Sequence, residues 1–303
     1  MDILKVDRVS KSFGEVRAVQ DLSFLVKEGQ VFGLLGPNGA GKTTMIRMIM
    51  QILLPDQGSI SIFEKPLSQT LLDQIGYLPE ERGLFPKMKV IDTVTFFGEI
   101  HGIGHSESVR RANTLLERFE LHAWRSKKIE ELSRGMQQKL QFICTILHKP
   151  KLLILDEPFT GLDPINTNLL KDAMIELKEE GTTIIFSTHL MEQVEKLCES
   201  ICLINKGKAL LSGSLSEIKS RFGKNRVRLR YEGKADFLKD KTLVEQYNDY
   251  GQYVEIGLAK DRTTQELLKH AIDTVTLHQF EAAGPSLNEI FITVVKAEGG
   301  SLE

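Results

Sequence analysis

The sequence has few cysteines, no long hydrophobic run and no excess of positive charge. It contains 3 cysteines in 303 residues. Cys198 and Cys202 lack the second pair that a zinc site needs, so we expect all of them to be core thiols of a protein from a reducing compartment. No stretch approaches the roughly 20 apolar residues of a membrane-spanning helix, and the first residues do not resemble a signal peptide. A formal net charge of -2 excludes a general attraction to nucleic acid or anionic lipid, so we expect any membrane role to come through a partner.

The spacing of apolar residues divides the chain into a strand-rich beginning, a helical middle and a part in which strands and helices alternate. The predicted strands cover residues 4–9, 19–26, 31–35, 59–63, 152–155, 183–187 and 201–205. The predicted helices cover residues 43–52, 167–180 and a segment from 192, with helical periodicity also between 92 and 148. The alternation after residue 150 favours a parallel sheet, so we predict an α/β fold.

The pattern changes near residue 219, after a segment at 213–223 that we interpret as a linker. Beyond it the sequence predicts strands at 219–231, 253–258 and 274–280, and helices at 264–272 and 286–295. These elements indicate a small accessory α+β domain. We therefore predict two domains, residues 1–218 and residues 219–303.

A glycine-rich segment after the predicted strand at 31–35 matches the phosphate-binding pattern G-x-x-x-x-G-K-[ST]. The residues predicted to bind nucleotide here are Gly36, Pro37, Asn38, Gly39, Ala40, Gly41, Lys42, Thr43 and Thr44. Glycines let successive backbone N–H groups approach the phosphates, and the helix that follows points its positive end at them. Lys42 supplies a positive charge for the β- and γ-phosphates, and the Thr43 hydroxyl supplies a ligand for Mg²⁺. The position between an apolar strand and a helix excludes an ordinary glycine-rich turn.

A second apolar strand, residues 152–155, ends in two consecutive carboxylates, Asp156 and Glu157. Their side chains alternate in direction because successive strand residues do. Taken alone, this pattern favours an ordinary strand-end turn. With the phosphate-binding pattern upstream, it instead predicts that Asp156 holds Mg²⁺ and that Glu157 orients and polarises the attacking water.

Further segments resemble those of ABC-type ATP-binding subunits. Residues 132–139 resemble the signature L-S-G-G-Q, and residues 161–164 resemble the loop that crosses between protomers. Residues 187–189 resemble the segment that ends in the family's switch histidine, and Phe13 lies where the family stacks an aromatic ring on adenine. Phe13 or His189 alone would favour a core residue. The ordered set covers residues 1 to about 217 and is highly specific.

The resemblance implies a P-loop NTPase of ABC type, with a mixed-sheet core, an antiparallel β subdomain and a helical subdomain. It implies head-to-tail pairing, as a homodimer or with a paralogous ABC ATPase, in which Ser133 and Gly135 of one chain hold the ATP bound to the other. Lys42, Glu157 and His189 are then the catalytic residues, with ATP and Mg²⁺ as cofactors. The implied partners are integral membrane permease subunits and not nucleic acid, at the cytoplasmic face of the cell membrane.

Three positions depart from the family pattern. Glu80 lies where most members have glutamine, and a carboxylate near the γ-phosphate is repelled unless Mg²⁺ lies between them. Glu80 is therefore expected to be a ligand on the metal side or to point outward. Arg134 replaces a signature glycine and either adds charge at the opposing ATP or points to solvent, while Met136 replaces glutamine. The catalytic residues remain, so we expect hydrolysis to survive.

Residues 80–88 and 285–291 resemble a bacterial exporter subgroup that includes ATP-binding subunits of sodium-extrusion systems. This predicts an ATP-hydrolysing subunit that drives export, of sodium or another small substrate, through separate membrane subunits. The alternative is a soluble ABC ATPase that acts on nucleic acid or ribosomes, which usually needs two cassettes, a long coiled coil or a basic face. A third possible function is that of a catalytically inactive regulatory subunit. The presence of both Lys42 and Glu157 argues against it.

Two features of the sequence each allow two interpretations. Leu84, Phe85, Pro86 and Met88 form an apolar cluster that is either a core turn or, as we favour, a groove for a short helix of the membrane subunit. In residues 226–231 arginine alternates with an apolar or aromatic residue, so one face of the predicted strand carries three arginines. That face is either solvated or contacts an acidic surface on another subunit.

Overall fold

The computed structural model describes residues 1–81, 83–222 and 226–297. These described residues contain fourteen strands in three sheets and ten α-helices. The strands are β1 (Asp2–Phe13), β2 (Val16–Lys27), β3 (Val31–Leu35), β4 (Gln57–Ile62), β5 (Lys65–Pro66), β6 (Ile75–Leu78), β7 (Leu152–Asp156), β8 (Thr183–Thr188), β9 (Ser200–Asn205), β10 (Lys208–Ser214), β11 (Arg226–Glu232), β12 (Val244–Asp249), β13 (Val254–Leu258) and β14 (Thr276–Ala283). The helices are α1 (Lys42–Ile49), α2 (Gln69–Leu72), α3 (Val90–Ile100), α4 (His105–Arg118), α5 (Arg134–Ile146), α6 (Pro164–Glu179), α7 (Met191–Leu197), α8 (Leu215–Arg221), α9 (Thr264–Thr274) and α10 (Leu287–Ala297).

The central sheet has the strand order β10-β9-β3-β8-β7-β6. All neighbouring pairs are parallel except β10 and β9. Strands β3, β7 and β8 are buried along their whole length and are mostly apolar, as is usual for parallel strands covered on both faces. Because the carboxyl ends of parallel strands meet at one edge, the segments that follow β3, β6, β7 and β8 are brought together there.

A second, antiparallel sheet with the order β2-β1-β4-β5 packs against the central one. Buried residues of β1 and β2 join one hydrophobic cluster with those of β3, and the rings of Phe24 and Phe32 stack with centroids 5.4 Å apart. Helices α3, α4 and α5 pack on one another and form the helical part. The predicted α/β class, with its mixed sheet, antiparallel β subdomain and helical subdomain, is confirmed. None of the helices in the described ranges is both long and apolar enough to cross a membrane.

The chain divides into two units, Met1–Ser214 and Leu215–Glu303. The boundary predicted at 218–219 falls inside α8. The second unit contains an antiparallel sheet with the order β12-β13-β11-β14, whose buried face forms a hydrophobic cluster with α9. This unit has the predicted α+β character.

The prediction for the start of the second unit was wrong in detail. The predicted linker at 213–223 and the first residues of the predicted strand at 219–231 include helix α8. Residues 223–225 lie outside the described residues, and the described strand runs from Arg226. Leu215 and Ile218 are buried three residues apart, which is the spacing of one helix face. Short helices of this kind have too few apolar positions to be separated from a linker by periodicity.

The arginine face of β11 has a third explanation, which the sequence did not indicate. Arg226 forms an ion pair with Glu289 of α10. Arg228 donates to Glu255 of the neighbouring strand at 2.8 Å, and its guanidinium lies 4.9 Å from the ring centroid of Tyr253. These two arginines therefore have acidic partners inside their own unit. The alternative of a contact with another subunit gains no support from these two arginines.

All of the cysteines, Cys144, Cys198 and Cys202, are buried and free. Burial raises the pKa of each thiol, that of Cys202 to about 12. A thiol with a raised pKa holds little of the reactive thiolate at neutral pH. The prediction that the cysteines are core thiols is confirmed.

Two histidines stack next to the carboxyl ends of α3 and α5. The rings of His101 and His148 lie 3.8 Å apart between centroids, with an angle of 5° between their planes. Burial, and then the charge of His101, lower the pKa of His148 to about 4, against weaker opposing effects of the Ile75 carbonyl and Asp73. Burial also lowers the pKa of His101. The folded chain therefore favours two neutral rings.

We expect the free energy of unfolding to fall as the pH is lowered from the ordinary histidine pKa of about 6.5 toward 4. In this window the unfolded chain binds a proton at His148 that the folded chain does not, so stability is present above the window and is lost within it. One such group contributes at most about 1.4 kcal/mol per pH unit. Urea unfolding at several pH values should show a shallower fall for His148→Gln than for the wild type. His122→Gln, at an exposed position, should keep the wild-type slope. Equal slopes for His148→Gln and the wild type would contradict the prediction.

Candidate active site

The glycine-rich loop runs from the end of β3 into α1, which begins at Lys42. It passes so close to neighbouring backbone that only glycine fits at two of its positions. A Cβ atom on Gly36 would lie 2.2 Å from the carbonyl oxygen of Ile204, and one on Gly41 would lie 2.4 Å from that of Ala18. Gly41 also has a φ of 106°, which side chains of L-residues rarely tolerate. The loop is thus held against β2 and β9 by its backbone.

The Lys42 side chain is folded under this loop. Its ammonium donates to the carbonyl oxygens of Gly36 at 2.8 Å and Pro37 at 3.1 Å. The same Nζ lies 3.6 Å from Oε1 of Glu157, and both side chains are buried. Because a buried charge needs compensation, the two groups stabilise each other. A cation is therefore held within reach of both the loop and the carboxylate.

Glu157 follows β7 in a left-handed backbone conformation, with a φ of 49°. Its N–H donates to Oγ of Ser187 at 3.1 Å. Nδ1 of His189 lies 3.1 and 3.2 Å from its two carboxylate oxygens. A non-glycine residue in this conformation costs on the order of 1–3 kcal/mol, and such strain concentrates at functional sites. The surroundings thus hold the Glu157 carboxylate in one place, between a lysine and a histidine.

Asp156 at the end of β7 is fully buried. Ser187 and Thr43 donate side-chain hydrogen bonds to it, but Oδ2 has no hydrogen-bond partner within the described residues. Burial raises the pKa of this carboxyl, and the nearby charge of Glu157 adds to the effect. An unpartnered carboxylate oxygen beside a threonine hydroxyl suits a hard cation that prefers oxygen ligands. Asp156 and Thr43 therefore fit a Mg²⁺ ion.

A cavity of about 690 Å³ opens beside these groups. Its walls come from the phosphate loop, from the beginning of β2, and from three separate segments of the chain. The lining residues are Glu15, Val16, Arg17, Ala18, Gln20, Asn38, Gly39, Ala40, Gly41, Lys42, Thr43, Thr44, Glu80, Glu157 and Lys206. The volume lies within the range typical of small-molecule sites.

Several residues predicted to bind the nucleotide lie outside this wall. Phe13 is 48% exposed and does not line the cavity, although Val16, its partner across the β1–β2 turn, does. Ser133 caps α5 and accepts the N–H of Met136 at 3.3 Å, and Gly135 lies in the first turn of that helix. Neither of them lines the cavity of its own chain.

The two charged departures from the family pattern are both exposed. Glu80 follows β6 and lines the cavity with an exposed side chain. This position is compatible with either of the roles expected for it. Arg134 is the first residue of α5 and is exposed in this chain, which is compatible with either of the roles expected for it.

Sequence reasoning missed part of the site. Ser187 contacts both Asp156 and Glu157, yet the resemblance at residues 187–189 assigned a role only to His189. Arg17 and Lys206 line the cavity from β2 and from the turn after β9. No local pattern identifies them, because only the packing of those segments against the phosphate loop brings them there.

Known protein families resemble both parts of the chain. A family model for the ABC transporter matches residues 19–160, and one for the C-terminal domain of DrrA1-3-like ATP-binding proteins matches residues 213–295. The chain is 46% identical over 295 residues to the Uncharacterized ABC transporter ATP-binding protein YhaQ of Bacillus subtilis, covering 97% of this chain and 99% of that protein. It is 36% identical over 218 residues to the Nod factor export ATP-binding protein I of Paraburkholderia xenovorans, covering 71% of this chain and 72% of that protein.

The fold is also similar to a solved ATP-binding subunit of an ABC transporter. That structure is 32% identical to the chain, has a TM-score of 0.68, and is aligned over 73% of this chain and 93% of its own length. The predicted family is confirmed. The chain belongs to the ABC transporter family as an ATP-binding subunit, an ATPase of ABC type.

Proposed function

We propose that this subunit drives export through separate membrane subunits by hydrolysing ATP in the cavity beside Lys42 and Glu157. The observation that carries the proposal is the contact of the buried Glu157 carboxylate with both the buried Lys42 and the exposed His189. It supports the proposal that Glu157 acts as a general base beside the cation Lys42 at the phosphate loop, where hydrolysis of a terminal phosphate needs both. Every residue proposed for this chemistry lies in the first unit.

In the proposed reaction, Lys42 exchanges its contacts with the loop carbonyls and Glu157 for oxygens of the β- and γ-phosphates. Glu157 then orients and polarises the attacking water, while His189 keeps its carboxylate in place. The other imidazole nitrogen of His189 can contact the γ-phosphate. Electrostatic stabilisation by groups held in position before the reaction is the largest contribution in reactions of this kind.

Asp156 and Thr43 would hold Mg²⁺, with Glu80 as a further candidate ligand at the cavity wall. The support is the unpartnered Oδ2 atom of Asp156 and its hydrogen bond with Thr43. When bound, this ion neutralises charge that develops on the β- and γ-phosphate oxygens. Asp156 is held for this role by Ser187, which fixes its other oxygen.

The proposal includes a second ATPase chain, either identical or paralogous. Ser133 is exposed at the beginning of α5 and does not line the cavity of its own chain. The helix α5 is longer than three turns, so its N-terminus can bind an anion presented by a neighbour. Ser133 and Gly135 are therefore proposed to close over the ATP of the other chain, while Phe13 at the cavity margin stacks on adenine.

Export is supported by the exporter relative reported above, whose name states export of Nod factor. A location at the cytoplasmic face of the membrane would follow from pairing with permease subunits. A role on nucleic acid is disfavoured because the formal net charge is -2. The cargo depends on the membrane subunit, so transport of sodium stays a prediction from sequence resemblance.

Glu157→Gln should slow ATP hydrolysis by a factor of about 10² or more, the scale of a lost general base. ATP binding should persist, because Lys42 and Asp156 are unchanged. With hydrolysis blocked, dimers that hold ATP should accumulate, and size-exclusion chromatography with and without ATP and Mg²⁺ measures them. Glu81→Gln, at an exposed position, serves as the control and should hydrolyse at the wild-type rate. A Glu157→Gln protein that hydrolyses normally would contradict the role of Glu157. One that stays monomeric at saturating ATP would contradict the shared site.

An exposed aromatic cluster is the proposed contact with the membrane subunit. Phe85 is 46% exposed and packs edge-to-face on Phe96, which is also exposed, with ring centroids 5.9 Å apart. Ile100, one turn further along α3, is exposed as well. Apolar side chains that remain exposed together on one surface are typical of interaction sites. The exposure of Phe85 favours a docking surface over a core turn.

Phe85→Ala should weaken co-purification with the membrane subunit, because truncation of a central aromatic contact costs about 2 kcal/mol or more. The ATP affinity of the isolated chain should not change. Ile175→Ala removes a side chain of similar exposure from α6 and should leave co-purification intact. Loss of ATP affinity and of folding in the Phe85 variant would show that the cluster belongs to the core.

A further inference from the structure

The turn between β9 and β10 places two exposed lysines two residues apart, on different cavities. Lys206 lines the cavity beside the phosphate loop. Lys208 does not line it, and lines instead a neighbouring cavity of about 750 Å³. Charge and exposure are matched, so the two lysines differ mainly in the surface that they face.

Backbone hydrogen bonds fix the Lys206 turn to the phosphate loop and to β2. The N–H of Gly207 donates to the carbonyl oxygen of Ala40 at 3.0 Å, and the N–H of Gln20 donates to the carbonyl of Gly207 at 2.8 Å. Nε2 of Gln20 donates to the carbonyl of Lys206 at 3.0 Å. Lys206 itself has a φ of 48°. The backbone position of Lys206 relative to the loop is therefore fixed by two backbone hydrogen bonds and by the side chain of Gln20.

Lys206 forms no ion pair with the part of the chain that the structure describes. Within the described ranges, no carboxylate lies in ion-pair distance of Lys206 or of Arg17, which lines the same cavity from β2. Glu15 and Glu80 also line that cavity, but neither forms an ion pair with these cations. Lys42, by contrast, is engaged with two carbonyl oxygens and a carboxylate. Two cations beside a phosphate loop that form no ion pair among the described residues are suited to an anionic ligand.

The place of Lys206 along the cavity indicates which part of the ligand it faces. The phosphate loop forms one wall of the cavity, where Lys42 and Thr43 are expected to meet the β- and γ-phosphates. The beginning of β2 forms an adjoining wall, since Gly41 packs closely on the carbonyl of Ala18. The turn of Lys206 is bonded to Ala40 of the loop and to Gln20 of β2, so it adjoins both walls.

We propose that Lys206 is a nucleotide-binding residue that contacts the α-phosphate of a nucleoside di- or triphosphate, with Arg17 beside it. The inference rests on the proposed ATP site and adds a cation that belongs to no motif of that site. A contact with the α-phosphate is present before and after hydrolysis of the terminal phosphate. Lys206 therefore contributes equally to the binding of ATP and ADP and does not act in the chemical step.

The test compares the Kd values of ATP and ADP for Lys206→Gln, Lys206→Asn and the matched control Lys208→Gln. Asparagine is included because it tolerates a left-handed backbone better than most residues, which keeps the turn intact. Both Lys206 variants should bind ATP and ADP about three- to tenfold more weakly, by the same factor for the two nucleotides. Their Kd should also depend less on salt, and their kcat should stay near the wild-type value. Lys208→Gln should match the wild type throughout.

Three results would overturn the inference while leaving the ATP site standing. The first is wild-type affinity in both Lys206 variants, and the second is an equal loss in Lys208→Gln. The third is a much larger loss for ATP than for ADP, which would assign Lys206 to the γ-phosphate. Failure of the wild-type protein to bind any nucleotide is a different outcome, since it would refute the proposed function itself. Melting temperatures without nucleotide show whether each variant is folded.

Discussion

The close packing of the phosphate loop against two neighbouring strands is the constraint on which the site depends. Cβ atoms at Gly36 and Gly41 would lie 2.2 and 2.4 Å from carbonyl oxygens of the chain, so neither position accepts another residue. Backbone contact at this distance fixes the loop independently of side-chain conformation. It also brings Ala18 and the turn that contains Lys206 to the same cavity. Residues that belong to no motif therefore become part of the wall, because the loop needs their backbone as its support.

Strand order positions the carboxylates. β8 lies between β3 and β7 in the sheet. Ser187, near the end of β8, therefore reaches both Asp156, the last residue of β7, and Glu157, which follows it. It donates to Asp156 through its hydroxyl and accepts the N–H of Glu157, and this pair of bonds helps to hold Glu157 in a left-handed conformation. Neighbours in the sheet are distant in sequence here. The geometry of the two carboxylates is thus a property of the sheet and not of the Asp-Glu pair alone.

The difference between local patterns and contacts made by the sheet explains what could be predicted from the sequence. The phosphate loop, Asp156 and Glu157 have local patterns because each follows an apolar strand, and their convergence follows from a parallel sheet. Strand β12 was missed because only its first residue is buried, which leaves no alternation to detect. The ion pair of Arg226 with Glu289 was missed because it joins a strand to a helix far along the chain. The periodic spacing of apolar residues predicts individual strands and helices. Contacts between these elements can be identified only once the fold is known.

The charge of Lys42 links binding to chemistry in the proposed reaction. Glu157 is only 7% exposed, and a buried carboxylate without a cation is costly. Lys42 supplies that compensation at 3.6 Å while it also donates to the loop. Phosphate oxygens compete for the same ammonium, and a carboxylate released from its cation has lone pairs free to accept a hydrogen bond from water. Entry of the nucleotide therefore turns Glu157 from one half of a buried ion pair into a group able to polarise water, with His189 still holding its orientation.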